Sequence, residues 1–221
     1  MHVVVNAAMS ADGKLASRRR EQLAISGPND FDRVDQLRAD SDAVMVGVGT
    51  VLADDPSLTV DDSTRRTERV TDGKSENPAR VIADSRIRTP PDANVLDDAA
   101  ETYLLVSQAA PTDFIEQMEE AGAYVLAAGE DRVDLTTALA KLEGEGIDRL
   151  MVEGGGELIF SLFEAGLVDE LRVYVGATVL GGRDAPTLAD GEGFVESFPE
   201  LRLASVEKID DGALLSWTVE Q

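Results

Sequence analysis

Strand-like apolar runs and helix-spaced stripes alternate through the middle of this chain, and three more strand-like runs follow one another at its end. Residues 3–8, 43–48, 80–84, 102–106 and 124–127, and the run around Leu150, are short, apolar and β-branched, which suits buried strands. Pro28-Asn29-Asp30 has the chemistry of a helix start, and Phe31, Val34, Leu37 and Arg38 then recur at helical spacing. Residues 111–121 read as a second helix and Leu135, Leu139 and Leu142 as a third. Leu158, Ile159, Leu162, Phe163 and Leu167 form the clearest apolar stripe. Residues 171–175, 201–206 and 214–219 close the chain as strands. This order predicts an α/β fold, with a mixed, mostly parallel sheet, helices on both faces and an antiparallel C-terminal edge. No internal repeat is visible, and one domain over residues 1–221 is the simplest organisation. Residues 61–77 are polar and charged, and read as a long mobile surface loop. Gly181-Gly182-Arg183-Asp184-Ala185-Pro186 opens a second long loop, either a binding loop or a connector.

Charge and rare residues narrow the function. The chain carries 43 Asp and Glu against 20 Lys and Arg, a formal charge of -23. Nucleic acid and anionic membrane are poor partners for such a surface. Only Lys14, Lys74, Lys141 and Lys208 are lysines. An acidic, lysine-poor surface suits a halophile, whose salt screens self-repulsion; an ordinary acidic protein is the alternative. Arg18-Arg19-Arg20 is a short basic island, read as a solvated loop rather than a phosphate contact. No run is long enough to span a bilayer, and the start lacks the basic region of a signal peptide, so a cytoplasmic location is expected. With no Cys and one His, the chain has no disulfide, zinc–thiolate site or thiol nucleophile. A Ser-His-Asp hydrolase would have to rest on His2, an incidental strand-edge residue.

Three segments carry ligand chemistry. In Leu150-Met151-Val152-Glu153-Gly154-Gly155-Gly156-Glu157-Leu158 an apolar run ends in a carboxylate and three glycines, and a helical stripe follows. Such a turn offers unpaired amides and a positive helix end to a pyrophosphate, with no side chain in the way. A turn that merely needs positive φ is the plainer reading. Gly47-Val48-Gly49-Thr50-Val51-Leu52 resembles half of a dinucleotide fingerprint, with Leu52 where the third glycine belongs. It predicts a tight glycine turn, then a short helix halted by Pro56, with the Thr50 hydroxyl available to a ligand. Two such turns at one sheet edge suit a dinucleotide. Asp84-Ser85-Arg86-Ile87-Arg88 follows a strand and suits a phosphomonoester such as the 2′-phosphate of NADP. A capped turn bearing surface arginines is the alternative.

Several segments in order carry a family resemblance: residues 6–14, 37–43, 46–56, 81–86, 153–156 and 166–171. The most specific ends in Asp54-Asp55-Pro56. On these residues the chain resembles the archaeal and fungal type of pyrimidine reductase of riboflavin biosynthesis, the 2,5-diamino-6-ribosylamino-4(3H)-pyrimidinone 5′-phosphate reductases. The resemblance implies a dihydrofolate-reductase-like fold, a homodimer, NADPH as cofactor and a phosphorylated pyrimidine as substrate, whose ribosylamino group is reduced to the ribitylamino form. It implies that Thr50, Asp54, Gly154, Gly155, Gly156, Glu157 and Leu158 hold NADPH, with Ser85 and Arg88 nearest the 2′-phosphate. Asn6, Asp12, Arg38, Leu58 and Glu153 would face the substrate. Asp12 and Glu153 are the candidates for proton transfer, although binding of ribose hydroxyls is the preferred role for them. Asp61 departs from the Arg that bacterial relatives tend to carry. Those relatives fuse the reductase to a zinc deaminase, whose His and Cys ligands this chain cannot supply. The rivals are a related NADPH-dependent reductase of another pterin or pyrimidine, and a non-catalytic NADPH-binding module.

Overall fold

A computed structural model of the protein describes residues 1–19 and 23–220. In chain order its strands are β1 (His2–Ser10), β2 (Ala43–Gly47), β3 (Ala79–Ala83), β4 (Thr102–Val106), β5 (Tyr124–Ala127), β6 (Arg149–Val152), β7 (Glu170–Gly176), β8 (Glu200–Ile209) and β9 (Gly212–Glu220). Its α-helices are α1 (Pro28–Asp40), α2 (Val48–Asp54), α3 (Ser63–Thr71), α4 (Thr112–Glu120), α5 (Leu135–Gly144) and α6 (Gly156–Glu164). The chain divides into two compact units. One is Met1 with Asp35–Met151; the other is His2–Val34 with Val152–Gln221. Among the described residues no helix is long and apolar enough to cross a membrane.

The first unit is built on parallel strands. β2 pairs with β3, β3 with β4 and β4 with β5, each in parallel, and β6 lies beside β2. Ala43, Val44, Met45 and Val46 are all fully buried, as are Leu104, Leu105 and Val106. Strands covered on both faces need such continuous apolar runs. Arg80 on β3 is also fully buried. Its guanidinium is used up on Ser57 O, Val95 O, Asp97 O and the Asp97 carboxylate.

Two expectations fail in this unit. Residues 61–77 are not a structureless loop, because α3 occupies Ser63–Thr71. The Asp62 carboxylate accepts from the Thr64 and Arg65 amides and so caps the helix. α3 is held by cations rather than by an apolar stripe. Arg69, 5% exposed, donates to Ala39 O, Ser41 O and Ser75 O. Arg65 pairs with Asp35 at 2.8 Å. The glycine turn after β2 is absent too: the strand passes straight into α2, with Gly47 as an extended N-cap and Gly49 inside the helix.

The second unit mixes parallel and antiparallel pairs. β1 and β7 are parallel, from Val4↔Glu170 to Ser10↔Gly176. β7–β9 and β8–β9 are antiparallel, as predicted for the C-terminal edge. Phe31, read as part of the apolar stripe of α1, is 55% exposed, while Leu37 is buried. Arg20, in the basic island, lies outside the described residues.

Candidate functional site

The turn after β6 is built from glycine because its backbone demands it. Gly154 has φ 143 and Gly155 φ 92, values that L side chains rarely adopt. Gly155 is the N-cap of α6 and provides no side-chain cap, so the first amides of the helix keep their capacity to bind an anion. Gly156 is required for a different reason. A Cβ there would stand 2.6 Å from Thr187 O and 2.7 Å from Asp190 Oδ2. The segment that crowds it is fixed: Asp190 N donates to Gly156 O at 3.0 Å, and the Thr187 amide and hydroxyl both donate to the Asp190 carboxylate. Leu158 is buried, Glu157 is exposed, and Glu153 is half-buried at the end of β6. The side-chain-free Gly154–Gly155 turn and the uncapped start of α6 fit the phosphates of a dinucleotide, while Gly156 makes room for the protein's own 187–190 segment.

Asp12 lies in the turn after β1, in the same unit. Its carboxylate accepts from Ser10 Oγ at 2.6 Å, Leu180 N at 3.0 Å and Gly181 N at 2.7 Å. The Ser10 hydroxyl first, then the two amides, hold its pKa down to about 2. A group ionised so firmly is a poor proton shuttle near neutrality, and its geometry is that of an anchor. The same turn meets the second long loop through Ala11 N to Thr178 O and Leu15 N to Pro186 O. That loop is therefore tied at Asp12 and again at Gly156. Asn6, on β1, is 6% exposed, and its Oδ1 accepts from Arg33 Nη2 at 2.9 Å. Arg33 went unnoticed in the sequence; its only signal was a cation three residues after Asp30 on a predicted helix.

In the other unit Thr50 is half-buried on α2, and Asp54 ends that helix. Asp54 keeps an exposed surface, yet partial desolvation pushes its pKa up. Asp55 caps α2 in the left-handed region and holds Asn94 through its side chain and carbonyl. Leu58 is also left-handed, with φ 55, and its side chain is 2% exposed. What Leu58 offers a ligand is thus backbone, not side chain. Its strain of about 1–3 kcal/mol is imposed from both sides: Arg80 Nε donates to Ser57 O and Arg38 Nη1 to Thr59 O, each at 2.9 Å. Asn77 Oδ1 then accepts from Val60 N. The amides of Asp61 and Asp62 both donate to Asp35. Burial alone would raise the Asp35 pKa, but Arg65 and these amides outweigh it and hold it low.

The loop after β3 has its own organiser. Asp84 is 1% exposed, and its Oδ2 accepts from Arg88 N at 2.6 Å, Thr89 N at 2.8 Å and Thr89 Oγ1 at 2.9 Å. Its Oδ1 makes no hydrogen bond and has Arg88 Nε at 3.5 Å. The Arg88 side chain is 60% exposed, which suits a phosphate contact. Ser85 Oγ accepts from Val133 N at 3.1 Å, leaving its hydroxyl proton for a ligand.

Residues 1–215 match the RibD C-terminal domain family. Over 211 residues the chain is 48% identical to the 2,5-diamino-6-ribosylamino-4(3H)-pyrimidinone 5′-phosphate reductase of Archaeoglobus fulgidus, covering 96% of this chain and 94% of that one. It is 47% identical over 202 residues to the protein of the same name from Methanothermobacter thermautotrophicus, covering 91% and 89%. Among solved structures it resembles Acinetobacter baumannii RibD, with a TM-score of 0.81 and 26% identity, over 100% of this chain and 58% of that one. The chain belongs to the RibD C-terminal domain family, within the group of the 2,5-diamino-6-ribosylamino-4(3H)-pyrimidinone 5′-phosphate reductases.

Proposed function

We propose that this protein uses NADPH to reduce the ribosylamino side chain of 2,5-diamino-6-ribosylamino-4(3H)-pyrimidinone 5′-phosphate to the ribitylamino form, in riboflavin biosynthesis. The observation that carries the reading is the uncapped, glycine-built start of α6 directly after Glu153, in a chain nearly half identical to two archaeal reductases of that name. NADPH, when bound, supplies the hydride. The amides of residues 154–158 are assigned to its phosphates, Thr50 and Asp54 to further contacts with it, and Ser85 and Arg88 to its 2′-phosphate. Asn6, Arg38, the Leu58 backbone and Glu153 are assigned to the substrate. Their task is to hold the sugar carbon in a reactive pose and exclude water. Asp12 acts as the anchor of the 180–181 loop. The test is loss of NADPH absorbance with and without the pyrimidine phosphate. Turnover only with both present is expected; no turnover would refute the assignment.

The protein is also proposed to act as a homodimer paired through β8. This strand ends its sheet and exposes Leu201, Leu203 and Val206 at 40%, 54% and 58%. An unpaired apolar edge of this kind invites a second strand. Sedimentation should give a dimer that Leu203→Glu with Val206→Glu converts to monomer. A wild-type monomer would refute it.

A further inference from the structure

Arg33 divides its guanidinium three ways. Nε donates to Asp30 Oδ1 at 2.8 Å and Nη2 to Asn6 Oδ1 at 2.9 Å. Nη1 is buried without an acceptor. The surroundings form a built site. Asp30 is fully buried, and its other oxygen accepts from Ser26 Oγ at 2.5 Å. The backbone amides of Asn29 and Asp30 both donate to Asp210. A guanidinium has only donors, so the amide atom of Asn6 that faces it must be the oxygen. Arg33 thereby fixes which way the Asn6 amide points and leaves Nδ2 as its donor end.

A buried N–H without an acceptor is costly, and native proteins keep few of them. Nη1 is sealed from solvent, so Arg33 acts on a ligand through the Asn6 amide that it orients, and the local charge decides what that amide meets. Asp30 already neutralises Arg33, Asp210 adds a negative charge at the amides of residues 29 and 30, and Arg172, opposite Asn6 in the sheet, is paired with Glu170 at 2.7 Å. No net positive charge remains to attract a phosphate. We propose that Arg33 positions the Asn6 amide so that its Nδ2 donates to an uncharged oxygen of the substrate, a sugar hydroxyl or the ring carbonyl, and not to its phosphate. This rests on the reductase reading above and names a substrate-positioning residue for it.

The experiment measures KM for the pyrimidine phosphate and for its phosphate-free nucleoside, in wild type and Arg33→Lys. Lysine keeps a charge for Asp30 but cannot bridge Asp30 and Asn6 at once. Both KM values should rise by about 10–100-fold, their ratio should hold, and NADPH affinity by fluorescence titration should stay at the wild-type value. Inhibition by ribose 5-phosphate separates the two oxygens: weakened inhibition assigns the sugar hydroxyl, and unchanged inhibition the ring carbonyl. Should Arg33→Lys fail to fold, Asp30→Asn with Arg33→Gln removes both charges and keeps hydrogen-bonding capacity, and the same ratios are read from it. An unchanged KM in a folded variant overturns the inference, and so does a loss confined to the phosphorylated substrate. A wild type inactive with either substrate overturns instead the reductase reading on which it rests.

Discussion

Replacing Gly156 with alanine adds one methyl carbon at the first residue of α6. Its φ lies outside the left-handed region, unlike those of Gly154 and Gly155, so the backbone accepts alanine and gains about 0.5–1 kcal/mol of helix preference. Sterics oppose this. The new carbon would lie 2.6 Å from Thr187 O and 2.7 Å from Asp190 Oδ2. An ordinary contact needs the carbonyl to retreat by about 1 Å. It has little room, because Thr187 is bonded to Asp190. Gly191 is itself pressed on Phe160, with a hypothetical Cβ only 2.2 Å from the ring. Overpacking costs about 1–3 kcal/mol, and with the crowding atoms fixed the cost lies near about 2–3 kcal/mol, so the net loss is about 1–2.5 kcal/mol and Tm should fall by about 2–10 °C for a chain of this size. Gly49→Ala is the control. It sits in α2 with nothing near its Cβ position and should gain about 0.5–1 kcal/mol. Calorimetry of both variants is the assay. A Gly156→Ala protein that melts at or above wild type would refute the packing argument.

Three further outcomes are expected. Arg69→Met removes the donor to three carbonyls and should cost about 2–5 kcal/mol in urea unfolding; a smaller change would mean that α3 is held by something else. Burial raises the Asp54 pKa, so folding penalises its ionised form: the penalty is absent below the unfolded value, near 3.8, and complete once pH exceeds the raised folded value. Asp54→Asn should therefore raise Tm at pH 7 more than at pH 3.5 while weakening NADPH binding, and an equal gain at both pH values would contradict this. Screening of the -23 charge by molar KCl should raise Tm, and a Tm indifferent to KCl would remove the case for a halophilic surface.

The strands were legible because each is a short run whose neighbours matter little: Ala43-Val44-Met45-Val46 and Leu104-Leu105-Val106 are buried on both faces and look it. α3 was not, because periodicity arguments search for apolar stripes. The mean character of residues 63–71 is polar, and the helix is held by Arg69 reaching carbonyls on residues 28 and 30 positions away. One local signal was present, Asp62 ahead of helix-compatible residues, where its carboxylate caps two amides. The supposed glycine turn at 47–49 erred in the opposite direction. Glycine permits a turn but does not require one, and here only Gly47 lies outside the helix.

The same distinction runs through the candidate site. Gly154 and Gly155 were readable because positive φ is a local demand that glycine answers by itself. The polar side chains were not, since what each does depends on distant partners. Asp12 reads as a ribose-binding group or a proton carrier, and neither reading foresees that the amides of residues 180 and 181 close on it. Leu58 is expected to face the substrate, but nothing local says that its backbone is left-handed and its side chain buried. Arg33 lies outside every quoted motif, and Asp84 is given no role within its own, yet each sets the orientation of a candidate site residue: Arg33 turns Asn6, and Asp84 bonds the amide of Arg88 and lies beside its guanidinium. Exchanging such a supporting residue should therefore alter how tightly a ligand is held before it alters the chemistry itself, because the groups that touch the ligand remain in place and lose only their aim.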